Sequence, residues 1–260
     1  MSKLGLAAYH YFFRPINALG YSNLIRQGPV DTFRAFIGRR RLRWWIDQQL
    51  LSAAPPSPSP YPSPKEIPHL CVAYLAGDSQ RDLLFASLTS LYRHWPQTPA
   101  IRVLSDGALS TQLASDLERA FPGLVTVLEQ EQQEWLNQCF PRYRFPVLRG
   151  VRDQYLHLRK MLDIFTLKSP WILLLDADTL FHSEPTELLT RLKAGEQALF
   201  LLDRRGDSYG YPTSALQSLI EQPLLERINA GLLALPAGCI DWDRVELWLA
   251  ALSGAHGINY

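Results

Sequence analysis

The residues best equipped for chemistry are Asp176 and Asp178, two carboxylates separated by Ala177 at the end of the apolar run Trp171-Ile172-Leu173-Leu174-Leu175. Such a run reads as a buried strand. Residues two apart on a strand point the same way, so both carboxylates are expected to project together from its end. Neighbouring carboxylates repel and are costly to keep ionised unless a cation joins them. Hard oxygen ligands of this kind suit Mn2+ or Mg2+, above all when phosphate oxygens complete the shell. The cation would then neutralise charge growing on a departing diphosphate. A plainer reading stands beside this one, in which one aspartate caps a turn and the other faces water. A three-residue motif alone does not separate the two.

Arg159 and Lys160 lie shortly upstream, in His157-Leu158-Arg159-Lys160-Met161-Leu162-Asp163-Ile164-Phe165. Between Asp153 and Thr166 the residues Tyr155, Leu158, Leu162 and Phe165 recur at helical spacing and are expected to face the core. Arg159 and Lys160 then fall off that face, either free to meet phosphate or forming a solvated flank.

These side chains need elements to hold them, and the chain supplies strands alternating with helices. Strands are expected over 69–75, 101–104, 125–128, 171–175, 198–202 and 231–235. Between them, Asp82–Arg93 places Leu84, Leu88 and Leu91 on one face, and Ser110 can cap a helix bearing Leu113, Leu117 and Phe121. Ser183 and Pro185 start a helix to Leu192, and Asp241 can cap a closing helix. The pattern predicts an α/β fold with a mostly parallel sheet covered by helices on both faces. Ligands of such sheets gather at the carboxyl ends of the strands.

The segment from Lys160 through Asp176-Ala177-Asp178-Thr179-Leu180 to Glu187-Leu188-Leu189 resembles glycosyltransferase family 8, of the GT-A kind, which includes glycogenin. Phe200-Leu201-Leu202-Asp203, Arg227-Ile228-Asn229-Ala230-Gly231, Cys71-Val72-Ala73-Tyr74 and Ile101–Gly107 extend the resemblance over roughly residues 69–250. It implies a metal-dependent transferase that moves a sugar from a nucleoside-diphosphate sugar, UDP being the commonest donor nucleotide, to a hydroxyl of a glycan, lipid or protein. Asp176 and Asp178 would hold the metal, and Ala177 would sit with them against the donor. Arg159 and Lys160 would bind donor phosphates or sugar, and Ala73 and Tyr74 would line the nucleotide pocket. Asn229 and Ala230 would border the sugar, with Asp203 and Asn229 as catalytic groups. The plainer reading of Asn229-Ala230-Gly231 is a turn in which Gly231 supplies backbone freedom. Relatives commonly continue past the closing helix and supply a histidine to the metal, so a chain stopping at Tyr260 is expected to be a C-terminally truncated form. A catalytically incomplete protein that binds a partner or membrane surface is the alternative. Two enzyme rivals fit less well. Haloacid-dehalogenase phosphatases place threonine four residues after the first aspartate, whereas Thr179 comes three after Asp176. A sugar-nucleotide pyrophosphorylase would need a glycine-rich, lysine-bearing loop near Ala76-Gly77.

The ends and the bulk numbers set the frame. Residues 52–65 are rich in Pro and Ser and read as an extended linker. It separates a head (1–51) from a catalytic body (66–260). The head carries eight Lys/Arg against Asp31 and Asp47, a net +6, leaving −5 on the rest. With Phe12, Phe13, Trp44 and Trp45 it is expected to be a basic, aromatic helical extension, lying on an anionic membrane surface or packed on the body or a partner. Cys71, Cys139 and Cys239 form no C-x-x-C pair, which argues against a disulfide framework or zinc site and for a reducing cytoplasm. A location peripheral to the inner face of a membrane rests on the head alone; no nucleic-acid partner is expected.

Overall fold

The computed structural model describes residues 70–95, 98–194, 198–202, 209, 211–220 and 223–256, together with Arg40 and Trp44. The chain divides into Met1–Ala54 and Pro55–Tyr260. The expected head and linker lie outside the described residues, apart from Arg40 and Trp44. The sheet and its helices belong to the second unit.

Strand β1 (Leu70–Ala76) is followed by a short 3-10 turn, Asp78–Gln80, and helix α1 (Arg81–His94). Then come β2 (Ile101–Ser105), α2 (Thr111–Ala120), β3 (Val125–Val127), α3 (Glu129–Cys139), α4 (Pro146–Gln154), α5 (Leu156–Ile164) and β4 (Trp171–Leu175). The chain continues through α6 (Thr186–Ala194), β5 (Leu199–Leu202), α7 (Thr213–Ile220), β6 (Ile228–Pro236) and α8 (Trp242–His256). The six strands form one sheet in the order β3-β2-β1-β4-β6-β5. β1 pairs parallel with β2 and β4, and β2 pairs parallel with β3. β6 is antiparallel to both β4 and β5, so it alone runs against the other five. The mostly parallel α/β sheet expected from the alternation of elements is therefore present.

β1 is buried along its whole length because both faces of the sheet are covered. Leu70, Val72, Tyr74 and Ala76 enter one core with Leu84, Leu88, Leu113 and Leu117 from α1 and α2. Cys71, Ala73 and Leu75 enter the other with Ile164, Leu174 and Leu233. A third cluster joins α3, α4 and α5 through Leu136, Phe140, Phe145, Leu148 and Leu162. Period-2 burial on both sides is what a central parallel strand requires.

The structure departs from the expected elements in several places. The helical stretch expected over 153–166 is interrupted at Tyr155, whose extended backbone (φ −123°, ψ 110°) ends α4 and begins α5. Helices α3 and α7 have no counterpart among the expected elements, and α4 begins seven residues before the expected stretch; for α3 the reason is that Glu-Gln-Glu-Gln-Gln-Glu-Trp-Leu-Asn-Gln-Cys carries almost no apolar stripe. Both predicted caps form: Leu113 N donates to Ser110 Oγ at 3.1 Å and Arg244 N to Asp241 Oδ1 at 3.0 Å. Among the described residues no helix is long and apolar enough to cross a membrane. Ser110→Ala should cost about 1 kcal/mol of unfolding free energy in urea titrations, the usual worth of such a cap; an unchanged midpoint would show that the cap carries no stability.

Candidate functional site

The parallel strands β1, β2 and β4 end on one edge of the sheet, and antiparallel β6 begins there. Leu175 pairs with Leu232, which brings Asn229, Ala230 and Gly231 beside the end of β4. The order of strands reverses direction between β1 and β4, the position where open sheets of this kind leave a crevice.

β4 stops at Leu175, and Asp176–Thr179 form a turn closed by Thr179 N donating to Asp176 O at 3.0 Å. The carboxylates are therefore placed by a turn, not by the strand alternation expected from their spacing. Asp176 N donates to Gly231 O at 2.8 Å, and Thr179 Oγ1 to the same oxygen at 3.3 Å, so β6 anchors the turn. Ala177 is buried in the first core and roots the turn, while Asp178 is exposed. Among the described residues Asp178 has no hydrogen-bond or ion-pair partner.

Lys160 is buried, not free on a solvated flank: its Nζ donates to Asp176 Oδ1 and, at 2.7 Å, to Ala230 O. The lysine side chain is 10% exposed and that of Asp176 43%, so the pair sits at the rim of the interior. Arg159 turns to the β2 end, where Nη1 donates to Asp106 O. Its Nε is buried without a partner among the described residues. Gly107 adopts φ +101° directly beneath this guanidinium, a conformation and a closeness that only glycine permits.

Ala73 and Tyr74, expected to line a pocket, lie away from the open edge of the sheet. Ala73 and Tyr74 are fully buried in mid-strand, Tyr74 Oη lying 3.0 Å from Ser87 Oγ. Burial raises the tyrosine's pKa well above the usual phenol range, against a smaller opposing effect of that hydrogen bond. Neither residue reaches the sheet edge, because β1 runs on to Ala76. The residues at its open end are Ala76, Gly77 and Asp78. This corner is tightly knit: Asp106 N donates to Ala76 O at 3.1 Å, Asp78 N to Ala108 O at 3.0 Å, and Ser110 N to Asp78 Oδ1 at 2.9 Å. A Cβ on Gly77 would lie 2.6 Å from Asp106 Oδ2.

Asn229 and Ala230 belong to β6, which starts three residues earlier than the expected strand. Gly231 supplies space and not the backbone freedom expected of it, since its φ is not positive. A Cβ there would lie 2.8 Å from Asn229 Oδ1 and 3.2 Å from Asp176 Oδ2. Asn229 Oδ1 also accepts from Gly231 N at 2.6 Å. Asp203 lies outside the described residues.

The donor set fits a hard divalent cation in part. Asp176 Oδ2 and both oxygens of Asp178 are not taken by Lys160, and the ligands are carboxylates in a half-exposed setting. Among the described residues no group of three or more His, Cys, Asp or Glu could hold a metal by itself, so oxygens of a ligand or water would have to complete the shell.

No protein-family model matches the chain, and no curated protein sequence matches it. Solved structures are similar at low identity. A galactosyltransferase, LgtC, in complex with donor and acceptor sugar analogs is 16% identical with a TM-score of 0.42, over 73% of this chain and 66% of that one. A mannosyltransferase from Pyrobaculum calidifontis in complex with GDP-Man and Mn2+ is 15% identical with a TM-score of 0.37, over 78% and 54%. The mannosyltransferase Ktr4p from S. cerevisiae is 10% identical with a TM-score of 0.46, over 83% and 71%. The chain thus spans just under two thirds of the first of these proteins and about half of the second.

Gly231→Ala should destabilise the fold by about 1 kcal/mol, because the methyl group displaces the Asn229 and Asp176 side chains from the strand end. Urea unfolding of Gly231→Ala beside the unsubstituted chain checks this; an unchanged midpoint would mean that the edge has room.

Proposed function

We propose that the chain is a GT-A-type glycosyltransferase that takes a nucleoside-diphosphate sugar, UDP-linked by the family resemblance, and passes the sugar to an acceptor hydroxyl. The observation that carries this reading is the junction of Lys160 Nζ with Asp176 Oδ1 and Ala230 O at the carboxyl edge of β4, next to the exposed carboxylate of Asp178. An ammonium has three donors, and two are engaged here, so one remains for a phosphate oxygen. A divalent cation, Mn2+ or Mg2+, held by Asp176 and Asp178 and completed by diphosphate oxygens, would supply charge stabilisation for the leaving nucleoside diphosphate.

The chain's own groups divide the remaining work. Lys160 offsets the carboxylate that a diphosphate would otherwise meet, and offers it a donor. Arg159, fixed on the β2 loop, places a second cation at the β1–β2 corner, where its guanidinium and the Asp106 carboxylate fill the space that Gly107 and Gly77 leave. Asn229 borders the sugar side from β6, and Asp203 is assigned there by resemblance as a catalytic group. In the transfer the bond from the anomeric carbon to the diphosphate oxygen breaks and a bond to the acceptor oxygen forms; the acceptor's proton leaves with a base.

Isothermal titration with UDP and Mn2+, with GDP as a parallel arm, is expected to show metal-dependent binding that falls at least about 100-fold in Asp176→Ala/Asp178→Ala, on the scale of about 1.4 kcal/mol per factor of ten. Incubation with a UDP-sugar should release UDP. Binding that ignores the double substitution would sink the site assignment, and release of pyrophosphate would point to a pyrophosphorylase instead.

A further inference from the structure

Behind the site lies a buried polar network that the proposed reaction does not use. Asp163 is fully buried, and its carboxylate is saturated: Arg152 Nε donates to Oδ1 at 2.8 Å, while Arg152 Nη2 and Gln132 Nε2 each donate to Oδ2 at 2.5 Å. The amide of Gln132 also binds both backbone groups of Ser105, accepting from its N at 2.8 Å and donating to its O at 2.9 Å. β3 ends at Val127, opposite Val103, so on that side of β2 one glutamine side chain takes the place of a strand for Ser105. Ser105 Oγ in turn accepts from Gly107 N at 3.0 Å.

These contacts close a ring. Ser105 leads to Asp106, whose carbonyl accepts from Arg159; one helical turn further along α5 stands Asp163, which returns through Gln132 to Ser105. The β2 loop and α5 are thus joined twice, one turn apart. Between the two joints lies Lys160.

The reason for such a ring is directional. α5 has nine residues and no side-chain cap at its N-terminus, and helices this short are not stable alone, so tertiary contacts must place it. Leu162 and Ile164 fix its depth, but apolar burial is non-directional and does not set how far the helix slides or turns. Hydrogen bonds with defined geometry do. Stability is a weak explanation for the ion pair itself, since replacing a buried pair by apolar residues of similar volume is often neutral or favourable.

We propose that Asp163, with Arg152 and Gln132, is a positioning residue that holds α5 in the register at which Lys160 meets Asp176 and Arg159 meets the β2 loop. Its consequence for ligand binding rests on the nucleotide-sugar reading above; its consequence for Lys160 does not.

Two variants test it, Arg152→Met/Asp163→Leu and Gln132→Met, the second leaving the ion pair in place. Trace acetylation with acetic anhydride, read by peptide mass spectrometry, compares Lys160 with exposed Lys168, and alkylation of buried Cys71 by iodoacetamide reports general loosening. In both variants Lys160 should become about tenfold more reactive relative to Lys168, while Cys71 stays protected, the size expected for coupled neighbours. In calorimetry with UDP and Mn2+, the loss caused by Arg152→Met/Asp163→Leu should shrink when Lys160 is already alanine, the remainder being what α5 contributes through Arg159. Lys160 remaining as protected as in the wild type, Lys160 and Cys71 opening together, or strictly additive affinity losses would each overturn the proposal. A wild-type chain that binds no UDP while Lys160 responds as expected would instead overturn the nucleotide-sugar reading alone.

Discussion

A lysine ammonium taken largely out of water persists only where acceptors replace its hydration, and Lys160 finds two, one at the end of β4 and one on β6. This three-way joint is the constraint on which the edge of the sheet depends. It ties α5 to the two strands whose ends carry the carboxylates and the Asn229–Gly231 segment. It also compensates one of the two charges of the acidic turn, that of Asp176, while Asp178 stays in water. The carboxylate is less buried than its partner, so the pair lies where a ligand can reach one side of it.

The antiparallel course of β6 is what makes the joint possible. Had β6 run with its neighbours, Pro236 and not Ala230 would lie at this edge, and the turn after β4 would lose the Gly231 carbonyl that holds it. Chain order thus places Asn229 and Ala230 more than fifty residues beyond Asp176, while strand direction brings them together. The absence of a side chain at Gly231 is the steric condition for that approach.

Much of this was legible because burial writes a clear period. The six strands show as apolar runs, and Asp176 and Asp178 stand out against theirs; the strand-helix alternation then implies the parallel sheet. Three things left no such trace. Where a strand ends depends on its neighbours' lengths, so Ala73 and Tyr74, expected at the edge of the sheet, lie inside the core of β1. Whether Lys160 is solvated depends on β6, which a helical wheel does not contain. Gln132 and Asp163 are polar residues in interior positions, and a pattern of apolar spacing is blind to them. A buried polar residue is visible in sequence only when its partners are already known.

The buried charges of the body are not matched alike. Among the described residues Arg149, Arg152 and Lys160 are buried cations, and Asp163 is the buried anion. Arg149 is held by carbonyls near the end of α3, donating to Phe140 O at 2.7 Å and Leu136 O at 3.3 Å, with Asn137 Oδ1 at 3.1 Å; among the described residues no carboxylate pairs with it. Its pKa is lowered, first by burial and then by Arg142 and Arg152, the mark of a cation short of anionic company. Helix carbonyls offset such a charge only partly. Arg152, by contrast, is paired with Asp163 and Asp153, and Lys160 with Asp176, so two of the three buried cations are matched by carboxylates.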